Sequence, residues 1–346
     1  MRFTREKCST VWRSRVRWAW PLAILAAVLI GCDVDAPAST PPASAPPESI
    51  VLAVTPYVGA APTFVAVAKG YFEQQGLKVT VQHHPSGKAA LDAVIAGQAD
   101  VATVAELPIA LAAVRGQPVA ILATLSTQSD HAIVGRTDRG ITTVASLKGR
   151  RVAVSAGTSG DFVLDVMLVR QRLSRADVQV IDRKPRDLVD ALERGEADAI
   201  ATWEPMVADA RRRLGDRAAV FPSEGIYDST FNLTASRQFA RQRSEATRRL
   251  LTALERAEQL LARDPAACAP IVAQALDKSP EEARQLLDRS RFALGLEQHL
   301  LVVLEDQGRW AMRNRVVEAR QAPNFLDAVY LDGLASVKPR SVTIIH

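Results

Sequence analysis

Short apolar runs alternate with amphipathic segments over much of the chain, and this alternation predicts strands that are each followed by a helix. A first apolar run, Ile50–Val54, precedes a loop over Thr55–Pro62 and a helical pattern over Phe64–Phe72. Gly76 closes that helix, and Leu77–Gln82 is the next predicted strand. This order of elements is the building unit of α/β folds.

The same unit returns later in the chain. Arg151–Val154 is predicted to be a short buried strand, and a glycine-rich turn over Ser155–Asp161 leads into a helix over Phe162–Leu173 and a strand at Val178–Ile181. The first N–H groups of a helix are free and lie at the positive end of its dipole. Such a turn can cap its own helix, hold the polar end of a ligand, or do both.

Two further segments match closely. Asp92–Asp100 resembles Asp190–Asp198, with glycine, alanine and aspartate at corresponding positions. Each segment predicts a helix end, a glycine cap and the entry into a strand. Both strands then finish, after the same interval, at a glutamate, which is Glu106 in the first copy and Glu204 in the second. We interpret the match as an internal duplication.

Two similar copies of alternating strands and helices predict an α/β fold of two lobes, each a mainly parallel sheet flanked by helices. Ligands of such sheets bind beyond the carboxyl ends of the strands. Two lobes that present these ends to each other would enclose one cleft and close on a ligand by hinge motion. The loops expected at the cleft are Thr55–Thr63, Val104–Pro108, Ser155–Asp161 and Thr202–Pro205.

The pattern becomes mostly helical after Pro222. One more short strand is predicted at Phe231–Ala235, followed by helices at Ser244–Arg263, Pro280–Leu287 and Leu296–Arg313. The remaining tail is predicted to be irregular, with a β-like run at Val342–Ile345.

The N-terminus has the pattern of an export signal. Basic residues precede an apolar run over Ala19–Ile30, which is short for a membrane span. Leu29–Cys32 resembles the bacterial lipobox, which predicts a signal peptide over residues 1–31 and a lipidated Cys32. Residues 33–49 are rich in Ala, Pro and Ser, so residues 32–49 are predicted to be the lipidated cysteine and its tether.

Charge and cysteine content exclude two classes of function. Residues 1–31 carry the whole basic excess, since the remainder has 37 basic and 37 acidic residues, so no nucleic-acid partner is predicted. Cys268 is the single cysteine beyond the predicted signal and anchor, which leaves no disulfide framework and no cysteine-based metal site. We predict neither a metal nor a cofactor.

The motifs together resemble the type II solute-binding proteins of ABC importers for nitrate, sulfonates and taurine, some of whose relatives bind thiamine precursors. The resemblance covers Ile50 to Arg263 well and the C-terminal part loosely. It rests on the segments Ala68–Leu77, Ala96–Asp100, Gly157–Ser159 and Asp198–Pro205.

This resemblance implies the domain organisation. Lobe 1 would comprise residues 50–128 and 230–322, lobe 2 would comprise residues 129–229, and residues 323–346 would form a tail that packs on lobe 1. It also implies a monomeric, lipid-anchored protein, not an enzyme, at the periplasmic face of the inner membrane or the outer face of the plasma membrane. Its partners would be a small polar solute, an ABC permease with its ATPase, and the membrane through Cys32.

By the same resemblance, a ligand would be held from both lobes. The residues implied are Pro56, Tyr57, Glu106, Thr158, Ser159, Asp161, Trp203 and Glu204. Thr158 and Ser159 could bind an oxyanion, and Tyr57 and Trp203 could stack on a flat ligand or cover a cation.

The class of ligand stays open at this point. Glu106 stands where sulfonate and nitrate binders usually have small or hydroxyl residues, and Asp161 lies close to the supposed anion site. Two carboxylates at the cleft would favour a cationic amine or a heterocycle, unless they cap helices or pair with arginines. A sulfonate, nitrate, a taurine-like zwitterion and a pyrimidine-like compound are all compatible with the sequence.

Two other functions are possible on the same fold. One is a membrane-tethered sensor that reports ligand occupancy to a partner receptor. The other is an enzyme similar to the fungal pyrimidine synthases of thiamine biosynthesis, which use a histidine and a cysteine-rich iron motif. His83 and His84 could suggest that enzyme, but no cysteine cluster accompanies them, and Thr158 and Ser159 have no histidine in their local sequence.

Overall fold

A computed structural model describes residues 47–345, and the predicted signal peptide and lipidation site lie outside them. The strands, in chain order, are β1 (Glu48–Val54), β2 (Leu77–His83), β3 (Val101–Ala105), β4 (Val119–Gln128), β5 (His131–Arg136), β6 (Arg151–Val154), β7 (Gln179–Asp182), β8 (Ala199–Trp203), β9 (Ala218–Pro222), β10 (Ser229–Ser236) and β11 (Ser290–Gly295). The α-helices are α1 (Ala61–Ala68), α2 (Gly87–Ile95), α3 (Glu106–Val114), α4 (Ser159–Arg170), α5 (Leu188–Glu193), α6 (Met206–Leu214), α7 (Arg237–Gln242), α8 (Ser244–Arg263), α9 (Pro265–Leu276), α10 (Pro280–Asp288), α11 (Gln298–Arg313) and α12 (Leu331–Val337).

These elements form two α/β bodies, each built on one sheet. The first sheet has the order β11-β4-β10-β3-β1-β2, and the second has the order β7-β6-β8-β5-β9. The chain leaves the first sheet after Gln128, enters the second at His131, leaves it after Pro222 and returns to the first at Ser229. The predicted fold class, two sheet-and-helix lobes, is confirmed.

Strand direction decides which residues meet between the bodies. Strand β10 runs antiparallel to both of its neighbours, and so does β5 in the second sheet. The strands on either side of each of them point the same way. The first residues of β5 and β10 therefore lie at the edge where the neighbouring strands end. His131, for example, is paired with Trp203 at the end of β8.

Where a strand or helix was predicted, its boundaries are mostly within a few residues of those in the structure. Helix α1 begins at Ala61 instead of Phe64 and ends before Gly70, whose φ of 64° breaks the helix. Helix α9 was missed, because the Asp264–Pro265 pair that suggested a break is the start of this helix, with the Asp264 side chain accepting a hydrogen bond from Ala267 N.

The tail differs as well. Its β-like run forms a single bridge, between Val342 and Leu296, and not a strand. Helix α12, which was not predicted, lies within this tail. Val329 forms a second bridge, to Ile121 on β4, so the tail contacts the first sheet.

The two bodies share apolar packing around α3 and α4. Every residue of α3 is buried, and Leu111 on α3 belongs to the same apolar cluster as Leu164 on α4. Gly97 and Gly195, at the ends of the two duplicated segments, have φ values of 71° and 73°, which confirms the predicted glycine caps. Within residues 47–345, no helix is both long and apolar enough to cross a bilayer.

Candidate functional site

A cavity of about 220 Å³ lies between the two bodies, at the carboxyl ends of their strands. All four predicted cleft loops contribute to its wall. Their lining residues are Thr55, Pro56, Tyr57, Ala105, Pro108, Thr158, Ser159, Trp203 and Pro205.

Five of the eight predicted ligand-binding residues therefore line one cavity, and three do not. The five are Pro56, Tyr57, Thr158, Ser159 and Trp203, which come from both bodies. The three that do not line it are Glu106, Asp161 and Glu204, all of them carboxylates. The structure thus brings the hydroxyl and aromatic candidates together, whereas the acidic candidates form hydrogen bonds and an ion pair with groups outside the cavity.

Glu106 is fully buried at the first residue of α3, and its carboxylate accepts hydrogen bonds from several groups. Oε1 accepts from the Tyr227 hydroxyl and, at 2.8 Å, from Gln307 Nε2. Oε2 accepts from the backbone N–H of Thr230 at 2.9 Å and from its hydroxyl at 3.2 Å. Burial raises the pKa of Glu106 above its ordinary value, although these hydrogen bonds oppose the shift.

The other two carboxylates, those of Asp161 and Glu204, accept hydrogen bonds near the starts of α4 and α6, and that of Asp161 also forms an ion pair. Asp161 accepts a hydrogen bond from Gly157 N at 3.0 Å and pairs with Arg175 at 2.7 Å. Glu204 accepts from Ala208 N at 3.0 Å in the first turn of α6, and burial raises the pKa of Glu204. The alternative considered from the sequence, a carboxylate that caps a helix or pairs with an arginine, describes Asp161 in this structure.

Ten lining residues were not predicted. They are Pro85, Ser86, Gly87, Lys88, His131, Pro185, Arg186, Met206, Ser229 and Phe231. Most follow β2, β7 or β8, so they occupy the same edge of a sheet as the predicted loops. None of the described residues that line the cavity carries a carboxylate, whereas Lys88 and Arg186 carry positive charge.

Both cations lie at exposed positions. Lys88 Nζ pairs with Asp92 at 2.8 Å, and its side chain is 40% exposed. Arg186 is 73% exposed and lies 3.5 Å from Asp187. These charges therefore act at the solvent-facing side of the cavity, where water and salt screen them.

The deeper polar groups come from helix starts. Helices α2, α4 and α6 each begin at a lining residue, Gly87, Ser159 and Met206 respectively. At α4 the N-cap residue Thr158 does not cap the helix, because its hydroxyl donates to the Ser155 carbonyl at 2.7 Å. The first N–H groups of α4 consequently have no side-chain acceptor at this N-cap, and the helix dipole makes this end favourable for an anion.

Gly160 allows α4 to begin this close to the second sheet. A Cβ atom at Gly160 would lie 2.9 Å from the carbonyl oxygen of Ala201 on β8. Any larger residue would push the start of α4, and Ser159 with it, away from its position at the cavity. The sequence motif Gly157–Gly160 therefore has a packing role besides its turn conformation.

A histidine lies against Ser159. His131 Nε2 is 2.8 Å from Ser159 Oγ, and both side chains are buried, at 3% and 5% exposure. On the other side of the ring, His131 Nδ1 is 3.1 Å from Asp130 Oδ1, in a geometry that is not aligned as a hydrogen bond. The Tyr57 hydroxyl donates to Asp130 Oδ2 at 2.8 Å.

Aromatic rings form much of the remaining wall. Tyr57 and Phe231 contact each other edge to face, with ring centroids 4.8 Å apart, and Trp203 lies 6.1 Å from the His131 ring. Burial, followed by the neighbouring Asp130 carboxylate, raises the pKa of Tyr57 well above its ordinary value. Tyr57 is therefore a neutral phenol at physiological pH, and the cavity combines apolar walls with hydroxyl and N–H donors.

The buried carboxylate gives a first prediction. Glu106→Ala should lower the free energy of unfolding by at least about 3 kcal/mol, because it leaves several buried donors without an acceptor. Glu106→Gln should cost about 1 kcal/mol or less, since the Gln307 amide can rotate and offer its unpaired oxygen. Urea unfolding of the three proteins tests this, and an alanine variant as stable as the wild type would contradict it.

The same pair of variants tests the pKa of Glu106. A carboxyl group whose pKa is raised on folding binds its proton more tightly in the folded state, so stability falls as pH rises from the unfolded value of 4.5 through the raised value. The stability advantage of the wild type over Glu106→Gln should therefore shrink as pH rises through this window. An advantage that grows with pH would show that the pKa is lowered.

Comparisons with known proteins agree with this architecture. The model of the family described as "NMT1/THI5 like" matches residues 58–268. A protein of Brucella abortus (strain 2308), to which only a binding role is assigned by name, is 26% identical over 226 residues, which cover 64% of this chain and 70% of the relative. The alkanesulfonate-binding protein SsuA of Xanthomonas axonopodis pv. citri, solved with bound MOPS, shares the fold with a TM-score of 0.72 at 21% identity, over 83% of this chain and 99% of SsuA.

One relative is an enzyme. The 4-amino-5-hydroxymethyl-2-methylpyrimidine phosphate synthase of Schizosaccharomyces pombe is 28% identical over 138 residues, which cover 40% of this chain and 39% of the enzyme. The family model includes more than half of the chain and spans both bodies. The family resemblance seen in the sequence is thus confirmed, and the chain belongs to the NMT1/THI5-like family, on the fold of the periplasmic solute-binding proteins.

Proposed function

We propose that this protein is the solute-binding component of an ABC importer and that its ligand is a small organic anion. The observation that carries the proposal is the character of the cavity: the start of α4, which has no side-chain cap, hydroxyl groups and two rim cations surround it, and none of the described residues that line it is acidic. The binding roles of the relatives, including sulfonate binding by SsuA, support the same class of function.

The ligand should carry an oxyanion group on a short apolar or flat body. Ser159 and the first N–H groups of α4 are suited to the oxygens of a sulfonate or carboxylate. Tyr57, Trp203 and Phe231 are suited to the apolar remainder. The premise that favoured a cationic ligand, carboxylates facing the cleft, is not met by Glu106 or Asp161.

Binding measurements on the full chain in non-ionic detergent test the ligand class. Ethanesulfonate should bind, whereas a diamine of similar size should not. Ser159→Ala should weaken ethanesulfonate binding by about 10-fold or more, because a hydrogen bond to a charged group contributes about 1.5–3 kcal/mol.

The rim cation supplies a matched pair of variants. Arg186→Ala should weaken binding by about 2- to 5-fold at low salt and less at high salt, since its charge is exposed. Arg183→Ala is the control, because Arg183 pairs with Glu196 and does not line the cavity. Preferential binding of the diamine, or equal effects of the two arginine variants, would contradict an anion site.

A second candidate function follows from the contact between His131 and Ser159. A hydroxyl beside a histidine, with a carboxylate on the far side of the ring, is the set of groups that activates a serine nucleophile. A fluorophosphonate ester distinguishes the two functions, because an activated serine loses its proton to histidine, bonds to phosphorus and expels fluoride.

For the binding function we expect no mass increase on the peptide that contains Ser159 after this treatment, with a serine esterase as the positive control. The physical reason is that Asp130 forms no aligned hydrogen bond with Nδ1 and so does not stabilise the imidazolium that would form when Ser159 attacks. Labelling that disappears in Ser159→Ala would instead establish a reactive serine and favour the enzyme.

We further propose that Cys32 is lipidated and tethers the protein on the extracytoplasmic side of the membrane, where it delivers its ligand to a permease. The motif that ends in Cys32 supports the anchor. In a bacterial host, Cys32→Ala should move from the membrane fraction to the soluble fraction and lose incorporation of a labelled fatty acid. Equal fractionation of both proteins would contradict the anchor.

A further inference from the structure

The pair formed by His131 and Ser159 has a consequence for which ligands the cavity accepts. Both residues line the cavity, and their facing atoms, Nε2 and Oγ, are 2.8 Å apart. At this distance one of the two atoms donates a hydrogen and the other accepts it. The protonation state of His131 therefore decides which way the hydroxyl of Ser159 points.

The neutral ring has a preferred tautomer. Asp130 Oδ1 lies 3.1 Å from His131 Nδ1, and Asp130 Oδ2 accepts a hydrogen bond from Tyr57. A bare Nδ1 would place its lone pair beside a carboxylate oxygen, so the proton of the neutral ring belongs on Nδ1. Nε2 is then an acceptor, the Ser159 hydroxyl donates to it, and the lone pairs of Ser159 Oγ are left for the cavity.

Protonation reverses this bond. In the imidazolium form Nε2 carries a hydrogen and donates to Ser159 Oγ. The hydroxyl hydrogen of Ser159 is then free to point into the cavity, and the ring adds a positive charge beside it. An anion is repelled by the first arrangement and receives a hydrogen bond in the second.

We propose that the protein takes up a proton at His131 when it captures its anion, so that His131 is a specificity-determining residue that makes the cavity an anion site. The inference rests on the proposed binding of an organic anion. By linkage, the anion and the proton each strengthen the binding of the other to the same degree.

Other charged and titratable groups surround the ring. Those near His131 or on the cavity wall are Asp130, Glu106, Glu204, Tyr57, Tyr227, Lys88 and Arg186. Lys88 and Arg186 lie at the exposed rim of the cavity, where each has an acidic neighbour. Glu106 and Glu204 do not line the cavity, and neither touches Ser159. The charge of Glu106 acts on the hydroxyl only through its interaction with His131.

The expected effect is a slope of affinity against pH. At pH values where His131 of the free protein is neutral, the affinity for a permanently ionised anion should fall by up to about 10-fold per pH unit as pH rises, which corresponds to one proton bound with each anion. At pH values where the ring is already protonated before the anion binds, the affinity should be constant.

Calorimetry on the full chain in non-ionic detergent, with ethanesulfonate as the probe, measures both quantities. Ethanesulfonate stays ionised over pH 5.5–8.5, so its own charge contributes nothing to the slope. Titrations at one pH in two buffers with different ionisation enthalpies should give a net proton uptake between zero and one per anion bound. Zero uptake throughout this range would overturn the inference.

Two histidine variants complete the test. His131→Gln places an uncharged amide near Ser159, and we expect weakened binding with a flat pH profile and no proton uptake. His299→Gln is the control, because His299 is exposed on α11 and does not line the cavity, and it should keep the wild-type slope. A slope that survives in His131→Gln would assign the proton to another group and overturn the inference.

The same data separate this inference from the function on which it rests. Binding of ethanesulfonate with no dependence on pH would leave the anion site intact and overturn only the coupled proton. An absence of binding at every pH would overturn the anion site, and the role of His131 with it.

Discussion

The packing of the first body against the segment that returns from the second depends on one fully buried carboxylate, that of Glu106. Its donors come from the return crossing and β10, through Tyr227 and Thr230, and from α11, through Gln307. Because a buried charge without partners costs several kcal/mol, these elements are held together at α3. The ring of Tyr227 then contacts His131 at 5.5 Å, so the segment that joins the bodies is fixed by the carboxylate on one side and packs against the cavity on the other.

The sequence was sufficient for the architecture because the signals that define it are local. Apolar runs, glycine caps and the duplicated segments each depend on a few neighbouring residues, and the structure has strands and helices at nearly all of these positions. Elements were missed where this local signal is ambiguous. A proline such as Pro265 can follow the end of one helix or be the first residue of the next. The local sequence does not distinguish these two positions, and the packing of α9 on α1 and α8 does. The lobe boundaries drawn from the resemblance stay a prediction.

The candidate site could be predicted only where strand order is simple. The loops predicted at the cleft all follow parallel strands. Ser86 to Lys88, which follow the parallel strand β2, lie at the cavity for the same reason. His131 and Ser229 could not be found this way, because they begin strands that run in the opposite direction. Their place at the cavity follows from the reversal of β5 and β10, which no short stretch of sequence encodes.

The acidic candidates in the sequence did not predict the charge of the cavity wall, because their side chains do not line it. Glu106, Asp161 and Glu204 are close to lining residues in the chain. The partners Gln307 of Glu106 and Arg175 of Asp161 come from outside their helices, whereas Glu204 accepts from Ala208 N in the first turn of α6. Once these partners are counted, the groups that remain at the cavity are the start of α4, hydroxyls, a histidine and two rim cations. Carboxylates that flank the cleft in the sequence are thus engaged by other groups of the fold, and this supports the anion site proposed above.

His131 and Ser159 are arranged like two members of a catalytic triad, but the third group, Asp130, is not aligned with the ring. A serine nucleophile needs a base that is oriented by a third group, and Asp130 lies close to His131 without that alignment. The same proximity favours the tautomer with its proton on Nδ1, since a bare Nδ1 would place its lone pair 3.1 Å from a carboxylate oxygen. A carboxylate that is misplaced for a triad is therefore well placed to set the polarity of Ser159, and with it the charge of the ligand that the cavity can hold.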